Sequence, residues 1–454
     1  RDLHSFPTRR SSDLPSDTKN PPGPIGDIDL GVMAQDQLGF LQKMVQEYGD
    51  ITRHTVDGKP VTIVNDPDLV WEVLVSRREH YVKSGTPDEF MLVPLLGRGL
   101  LTTDGQEWGT QRALANPSFQ HQNVVPFDDL MVAETDKTID RWVAQMAPQR
   151  LDRDLTALTL TIVARSVLGS EVAIGDRFGE AVDDANRFMS HYNQANNANP
   201  SDKQSFINAR SFIDQIVNLL IEVTKFDPTG REDLLARLVT ARSPERPDGF
   251  SAEELRDQVV TILMAGHETT AKGLTWTLWL LCQHPEILDD ARQEVDRVLQ
   301  GAPPDASNLE NLPLIRAIFN ESLRLYPPVW IISRNATKAD TLGGYDIPAD
   351  SLVCISPWLL HRHPQHWTNP EEFNPQRFLT QEEPHPCAFL PFSAGPRKCI
   401  GQHFALLESV LVLARVLQRV DIALDPGHLV EAEALVTLRP RHGVLANLSP
   451  RSTP

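Results

Sequence analysis

Residues 251–285 predict one long helix, and the length of this helix limits the folds that the chain can adopt. Ser251 and Glu254 form a capping-box pattern, in which a hydroxyl and a carboxylate satisfy the first free N–H groups of a helix. Apolar residues then recur at helical spacing until Pro285, which cannot continue a helix. Roughly thirty residues at about 1.5 Å each give a helix of roughly 45–50 Å. We expect a helix of this length to run through the core.

The composition is typical of an ordinary folded chain and excludes several functional classes. With 41% hydrophobic and 23% charged residues among 454, a large core can form without disulfide bonds. The formal net charge of −18 argues against a nucleic-acid partner and against a polybasic membrane face. No apolar run of about 18 residues occurs, so no transmembrane segment is predicted. The four cysteines form no C-x-x-C pair, and we therefore expect a reducing, cytoplasmic location.

Residues 1–14 are not expected to belong to the folded domain. Their sequence, R-D-L-H-S-F-P-T-R-R-S-S-D-L, is what one reading frame of a common sequencing adapter would encode. We interpret them as an assembly artefact, with a natural disordered arm as the alternative. If they are an artefact, the native start is lost, which weakens the expectation of a cytoplasmic location. Residues 15–454 are expected to form a single domain, because no shift in composition marks a linker.

The rest of the pattern predicts a mainly α fold with a minor β part. The predicted elements are a helix at 38–48, strands at 51–56 and 61–64 around the hairpin signal Asp57-Gly58, a largely helical region at 66–299 with polar breaks at 194–202 and 243–249, strands at 341–347 and 352–356, a helix at 402–417 and a strand at 435–438.

The centre of the long helix breaks the local rules for a buried helix. It has the sequence A-G-H-E-T-T at residues 265–270, and a glycine inside a helix costs about 1 kcal/mol relative to alanine. Weak helix formers and an acid together in a buried element indicate a functional site. The alternative for Glu268 and Thr269 is a polar patch facing solvent, with the glycine allowing close helix packing. A zinc hydrolase is excluded because the H-E-x-x-H pattern would need a histidine at Ala271.

The strongest local signal is F-S-A-G-P-R-K-C-I-G at residues 392–401. Its two glycines permit a tight loop, and Arg397 and Lys398 place positive charge near Cys399, which favours the thiolate. The helix expected to follow adds its positive N-terminal end. Such a thiolate is suited to be a metal ligand, or a nucleophile with His403 as its base. Inert packed thiols are predicted for Cys282, Cys354 and Cys387.

Three further patterns are weak when each is taken alone. Glu321 and Arg324 lie at i, i+3 in E-S-L-R, and Arg377 lies in P-Q-R-F. Surface ion pairs of this kind contribute little to stability. Trp108 and Arg112 share a helix face at i, i+4, where an indole N–H and a guanidinium suit an anionic carboxylate. A cation–π contact on a surface helix is the alternative for this pair.

Taken together and in this order, A-G-H-E-T-T, E-S-L-R, P-Q-R-F and the cysteine motif resemble the cytochrome P450 family. The resemblance covers nearly the whole chain after residues 1–14. It implies a mainly α fold with a long central helix over a haem. The cofactor would be haem b, held non-covalently apart from ligation by Cys399. Some fatty-acid hydroxylases of the family esterify haem through a glutamate, and this chain has Ala265 at that position.

The resemblance also implies a role for each motif residue. Cys399 would be the axial thiolate ligand of the haem iron. Glu268 and Thr269 would be the catalytic acid–alcohol pair, with the hydroxyl contacting dioxygen and the carboxylate relaying protons from water. The family often has aspartate in place of Glu268. A buried ion-pair network holding the cysteine loop would comprise Glu321, Arg324 and Arg377. The cofactor-binding residues would be Trp108, Arg112, Ala265, Arg334, Phe392, Gly395, Arg397 and Gly401.

The implied function is that of a haem-thiolate monooxygenase. It would activate O₂ and hydroxylate an apolar organic substrate, such as a lipid, a terpenoid or an alkyl chain, in a pocket lined by residues 90–100, 263–265, 329–332 and 435–436. No flavin or ferredoxin module follows the cysteine motif in the sequence. We therefore expect a separate donor, a ferredoxin or flavodoxin with its reductase, to dock near Arg397 and Lys398.

Two other functions remain as alternatives. A haem-thiolate peroxygenase or isomerase would need no electron donor, and the presence of Glu268 and Thr269 argues against it. A non-catalytic haem-binding gas sensor is disfavoured because the sequence shows no domain for signal output.

Overall fold

The structure is a computed structural model, and it describes residues 19–145, 147–169, 176–190, 200–380 and 385–451. The prediction for residues 1–14 lies outside these ranges. Helices dominate and the strands are short, so the predicted mainly α fold with a minor β part is confirmed.

The helices, in chain order, are α1 (Leu30–Gln35), α2 (Gln37–Tyr48), α3 (Pro67–Trp71), α4 (Pro87–Leu96), α5 (Gly105–Ala115), α6 (His121–Val124), α7 (Asp128–Ala144), α8 (Leu151–Leu168), α9 (Asp176–Ser190), α10 (Pro200–Phe226), α11 (Leu234–Thr240), α12 (Ala252–Gln283), α13 (Pro285–Leu299), α14 (Pro313–Leu325), α15 (Pro357–Leu360), α16 (Arg377–Thr380) and α17 (Gln402–Arg419). The strands are β1 (Ile51–Val56), β2 (Lys59–Val64), β3 (Tyr81–Val82), β4 (Gln149–Arg150), β5 (Ile332–Ala336), β6 (Asp340–Leu342), β7 (Tyr345–Ile347), β8 (Leu352–Ile355), β9 (Val420–Leu424), β10 (Ala432–Ala434), β11 (Leu438–Pro440) and β12 (Leu445–Pro450).

The long helix α12 is the centre of the fold, as predicted. Its 32 residues correspond to about 48 Å, and it packs against α8, α10, α14 and α17. The capping box is present: the Glu254 N–H donates to the Ser251 hydroxyl at 3.1 Å, and the Ser251 N–H donates to the Glu254 carboxylate at 2.7 Å. Polar side chains in its middle therefore enter the interior of the molecule.

In the part of the chain that the structure describes, the largest sheet has five strands in the order β1-β2-β8-β5-β3. The predicted hairpin of β1 and β2 is confirmed, with antiparallel pairing from Ile51 opposite Val64. β2 begins at Lys59, two residues earlier than predicted, and so includes Pro60. This proline is tolerated because the parallel pairing of β2 with β8 starts only at Val61.

Two of the predicted strands are placed differently in the structure. The single strand predicted at 341–347 is a hairpin of β6 and β7, because Gly343 and Gly344 take φ of +59° and +83° and turn the chain. The strand predicted at 435–438 is wrong: residues 435–437 form the turn between β10 and β11. The apolar pair Leu435 and Val436 lines a cavity there instead of continuing a ladder.

A fully buried ion-pair network joins α14 to the irregular segment before α16. Arg324 donates to both carboxylate oxygens of Glu321 at 2.7 and 2.8 Å, and Arg377 donates to the same carboxylate at 3.1 Å. The remaining Arg324 N–H groups donate to backbone carbonyls at His361, Pro370 and Glu372. Because the surrounding carbonyls satisfy both guanidinium groups, the network fixes the course of residues 361–377.

His361 extends this network toward the cysteine motif. Its Nε2 accepts the Leu390 N–H at 2.7 Å, so the ring proton is on Nδ1, which donates to the Arg324 carbonyl at 3.2 Å. Burial and the Arg324 charge lower the pKa of His361 to about 3, so the ring is neutral. Leu390 lies two residues before Phe392, and the ion-pair network is thereby connected to the start of the cysteine loop.

We predict that Arg324→Ala lowers the free energy of unfolding by about 3–5 kcal/mol, because it leaves the Glu321 carboxylate buried without its partner. Chemical denaturation followed by circular dichroism measures this loss. The matched control is Lys43→Ala, which breaks an exposed i, i+4 pair with Glu47 and should cost at most about 0.5 kcal/mol. Equal effects of the two substitutions would contradict a structural role for the network.

Candidate functional site

A cavity of about 1300 Å³ lies between α12, the cysteine motif and the largest sheet. Its wall is formed mainly by apolar side chains from α4, α12, the segment 328–332 and the turn 435–437. The predicted site residues that line it are Trp108, Arg112, Ala265, Glu268, Thr269, Arg334, Phe392, Arg397, Cys399 and Gly401. The sequence motifs, which are up to about 300 residues apart in the chain, therefore meet at one place.

The cysteine motif forms a tight loop that presents its sulfur to the cavity. The Cys399 N–H donates to the Phe392 carbonyl at 2.9 Å, which closes the loop. Gly395 takes φ of +69°, and a Cβ at this position would lie 2.3 Å from the Leu74 carbonyl oxygen. This glycine is outside the cavity lining: it allows the loop to pack against the backbone of the helical turn 72–76, which follows α3. The Cys399 side chain lies inside the fold, and its accessible surface faces the cavity.

Burial and the nearby charges have opposite effects on the pKa of the Cys399 thiol. Burial raises the pKa of the thiol, whereas a backbone hydrogen bond from Gly401 and the charges of Arg112 and Lys398 lower it. Arg397 was expected to be one of these cations, but it forms an ion pair with Asp104. A bound metal cation would reverse the burial penalty, since a coordinating thiol is deprotonated outright.

Besides Lys398, four cations of the described residues line the cavity next to the cysteine loop. Arg112 donates to the Lys398 carbonyl at 2.9 Å, and the Arg397 guanidinium lies 4.6 Å from the centre of the Trp108 ring. The cation–π contact of Trp108 is thus with Arg397 and not with Arg112, which was the sequence alternative. The third and fourth cations are Arg334 and Lys83, and both line the cavity.

Arg334 is buried and Lys83 is half-buried, and neither forms an ion pair with a carboxylate among the described residues. Arg334 is 5% exposed, and among the described residues its only hydrogen bond is to the adjacent Ser333 carbonyl at 2.8 Å. Burial lowers the pKa of Arg334 to about 10 and that of Lys83 to about 8. Buried charges are normally paired, so these two groups indicate an anionic ligand in the cavity.

The opposite wall of the cavity is the middle of α12. The Thr269 hydroxyl donates to the Ala265 carbonyl at 2.9 Å, and the Glu268 carboxylate accepts from the Thr437 hydroxyl at 2.9 Å. Both side chains are half-buried and line the cavity, so they do not form a patch facing bulk solvent.

The face of α12 that is turned away from Glu268 packs against α8 and α9. His267 is fully buried there; its Nδ1 bonds the Leu263 carbonyl at 2.7 Å and its Nε2 lies 3.3 Å from the Asn186 amide. A Cβ on Gly266 would lie 3.0 Å from Val163 of α8, so this glycine permits close helix packing. Leu263 lies in the apolar core and not in the cavity, because the helical turn points it to this side, and its predicted place in the pocket is wrong.

Sequence reasoning missed two residues of the site, Lys83 and Thr437. Lys83 follows the two-residue strand β3, and no motif surrounds it. Thr437 lies in the segment that was predicted to be a strand, where alternation gave no reason to direct its side chain toward Glu268. Both positions are defined by contacts between distant segments. The other predicted pocket segments, 90–100, 329–332 and 435–436, contribute residues to the lining.

Of the three remaining cysteines, Cys354 and Cys387 are buried and Cys282 is half-buried, and Cys354 also lines the cavity. Burial raises the pKa of Cys282 to about 11 and that of Cys354 and Cys387 to about 12.

Within the described residues, no group of three or more His, Cys, Asp or Glu side chains is arranged to bind a metal ion. In the same residues, no helix is both long and apolar enough to cross a membrane.

Comparison with known proteins identifies one family over most of the chain. A family model described as Cytochrome P450 matches residues 23–443. Cyclooctatin synthase from Streptomyces melanosporofaciens is 32% identical over 413 residues, which cover 87% of this chain and 88% of the relative. The Putative cytochrome P450 132 of Mycobacterium tuberculosis (strain ATCC 25618 / H37Rv) is 31% identical and covers 92% of this chain and 93% of its own. The crystal structure of the cytochrome P450DA heme domain superposes with a TM-score of 0.86 at 28% identity, covering 96% of this chain and 98% of that one.

The fold and the cysteine-lined cavity define a haem-thiolate oxygenase. The chain belongs to the cytochrome P450 family, and it is a monooxygenase with haem as its cofactor. The residues present fit this group. The cavity offers a thiol, apolar side chains such as Phe392, and the unpaired cations Arg334 and Lys83, which suit two propionates.

We predict that Gly395→Ala destabilises the protein by about 1–3 kcal/mol and reduces its haem content, because a Cβ at φ of +69° would collide with the Leu74 carbonyl. The absorbance ratio of haem to protein and a denaturation curve measure the two effects. Gly109→Ala is the matched control: it lies in α5 with open space around its Cβ, and it should stabilise the helix by up to about 1 kcal/mol. Normal haem content in Gly395→Ala would refute the steric argument.

Proposed function

We propose that this enzyme hydroxylates an apolar organic substrate, with Cys399 as the thiolate ligand of the haem iron and Glu268 and Thr269 as its catalytic acid–alcohol pair. The observation that carries the proposal is that one cavity is lined by the exposed thiol of Cys399, by the unpaired cation Arg334 and by both α12 side chains. When bound, the haem supplies the redox chemistry by which one atom of O₂ is inserted into the substrate.

The cofactor is proposed to be held by charge, packing and the loop. Arg334 and Lys83 would each bind a propionate, which removes the cost of their burial. Trp108, Arg112 and Arg397 would be the other residues near the propionates. Arg112 is held by the Lys398 carbonyl and Arg397 by Asp104. The other contacts would come from Ala265, Phe392 and Gly401, while Gly395 would act indirectly by letting the loop pack against Leu74. Ala265 offers no ester-forming carboxylate, which supports haem bound non-covalently except through Cys399.

Glu268 and Thr269 are proposed to move protons along the cavity wall. The Thr437 hydroxyl donates to Oε1 of Glu268, which leaves Oε2 available to take a proton from water. The Thr269 hydroxyl donates to the Ala265 carbonyl, so its oxygen can accept a hydrogen bond from the cavity. Rotation of this hydroxyl would deliver its proton into the cavity, and Glu268 would replace it.

The substrate class is proposed to be a lipid, a terpenoid or an alkyl chain. The support is the apolar lining from residues 90–100, the segment 329–332 and the turn 435–437. Phe90, Trp330 and Leu435 supply much of this surface. Apolar burial drives the binding of such a molecule without requiring a charged partner.

Electrons are proposed to come from a ferredoxin or flavodoxin with its reductase. Lys398 is exposed next to Cys399 and is suited to steer an acidic protein. Arg397 is occupied by Asp104 and Trp108, so we place the docking site around Lys398 and not Arg397.

A single domain over residues 15–454 is also proposed, because one hydrophobic core extends from α4 to β12. The cytoplasmic location stays a prediction.

We predict that the reduced, carbon monoxide-bound protein shows the absorption band typical of thiolate ligation and that Cys399→His abolishes it, because imidazole replaces sulfur as the ligand. Difference spectroscopy of the purified proteins makes the measurement. Cys387→Ala is the matched control, since this buried thiol lies outside the cavity lining and its removal should leave the band intact. An unchanged band in Cys399→His would overturn the proposed ligand.

We predict that Thr269→Ala lowers the product formed per electron pair on the order of tenfold, because the hydroxyl that delivers protons is lost. Hydrogen peroxide release should rise in parallel, measured with surrogate redox proteins and the substrate that gives the largest spin-state shift. Thr269→Ser keeps the hydroxyl and should retain most of the coupling. Equal coupling in the wild type and Thr269→Ala would remove Thr269 from the proton path.

A further inference from the structure

One face of the five-stranded sheet forms a wall of the cavity that extends away from the cysteine loop. His54 of β1 is paired with Val61 of β2, Val61 with Leu352 of β8, and Leu352 with Asn335 of β5. Residues paired in this way point to the same face of a sheet, and all four line the cavity. Three strand spacings separate His54 from Asn335, a distance of about 14 Å. Arg334, the neighbour of Asn335 in β5, also lines the cavity, so His54 marks the end of the wall that is remote from Arg334 and from the proposed haem site.

His54 is a buried polar group without a partner at this remote end. It is 4% exposed, and its Nδ1 has no hydrogen-bond partner. Among the described residues, no hydrogen bond to its Nε2 is found either. The ring is held by an edge contact with Phe40, whose centroid lies 5.2 Å away at an interplanar angle of 80°. Since buried polar groups are normally hydrogen-bonded, an unpaired imidazole lining a cavity indicates a ligand group.

The surroundings of His54 determine the chemistry of that group. Burial lowers the pKa of His54 to about 4, so at neutral pH the ring is uncharged and offers one N–H donor and one acceptor nitrogen. An uncharged imidazole matches a hydroxyl, which both donates and accepts. An ionised carboxylate would lose its hydration there without gaining an opposite charge. Lys59 of the same hairpin also lines the cavity, but it is exposed, so its charge remains in water.

We propose that His54 binds the terminal hydroxyl of an elongated apolar substrate, which lies along the sheet wall with its other end at the haem. The proposal rests on the proposed function, because it needs the haem at the Cys399 end. It adds a polar anchor to a pocket in which the sequence showed none. The side chains between the two ends, Val61 and Leu352, are apolar and would contact the hydrocarbon body.

The test is a ligand-binding cycle on the haem-loaded protein. The probes are decanol and undecane, which have equal numbers of heavy atoms and differ by a hydroxyl in place of a methyl group. Both are supplied from cyclodextrin, and their binding is followed by the spin-state shift of the haem. In His54→Phe the ring and its contact with Phe40 are kept but the hydrogen bond is lost. We expect its Kd for decanol to rise about fivefold, the effect of one net hydrogen bond, with the Kd for undecane unchanged.

Three comparisons make each outcome decisive. His54→Gln keeps a donor and an acceptor and should restore most of the preference for decanol. Val56→Ile, on the same face of β1, should change the affinities for both probes by the same factor. A His54→Phe variant that binds both probes as the wild type does would overturn the proposal, and so would decanoate binding more tightly than decanol in a His54-dependent way.

Failure of the proposed function is recognised separately in the same samples. If the carbon monoxide-bound wild type lacks the thiolate band, the haem arrangement itself is wrong and the anchor proposal falls with it. If the band is present and undecane shifts the spin state, the haem site stands, and only the His54 comparison decides the anchor.

Discussion

The buried carboxylate of Glu321 holds together the part of the molecule that carries the sulfur. Two arginines converge on it, and their remaining N–H groups bind carbonyls of a segment that has almost no regular structure. Such a segment lacks the backbone hydrogen bonds of sheets and helices. The arginine side chains supply hydrogen bonds to its carbonyl groups instead. His361 then passes the constraint to the Leu390 N–H, close to the start of the cysteine loop. An ion pair that looks ordinary in the sequence thus determines where the thiol lies.

The middle of α12 serves two purposes on opposite faces. Toward the cavity, Glu268 and Thr269 replace the apolar side chains that a core helix would normally carry. Toward α8, Gly266 brings the helices close, and His267 is satisfied by the backbone and by Asn186. The close helix packing that the sequence offered for Gly266 is present in the structure, whereas the catalytic role of Glu268 and Thr269, which line the cavity, stays a prediction.

The features that could be predicted from the sequence are those that depend on residues close together in the chain. The capping box at Ser251, the hairpin at Asp57 and the motif around Cys399 each carry their own local signal. The central strand β5 was missed, although it carries Arg334, because its burial on both sides leaves no alternating pattern to read. Lys83, Thr437 and His54 could not be identified either: each is a common residue type whose significance comes from distant segments. Gly395 was predicted to be a cofactor-binding residue, whereas the steric requirement in the structure is its contact with Leu74.

The unpaired cations at the cavity rim have a consequence for the life of the chain in the cell. If Arg334 and Lys83 bind the haem propionates as proposed, haem binding restores the favourable interactions that these cations lose with their hydration on folding. A chain that has folded without haem would then bear a penalty that the loaded enzyme does not, and its native state would open more often. Proteases act on opened molecules and would therefore remove the haem-free chains first. The same charges that hold the cofactor would thus make the turnover of the protein follow the supply of porphyrin.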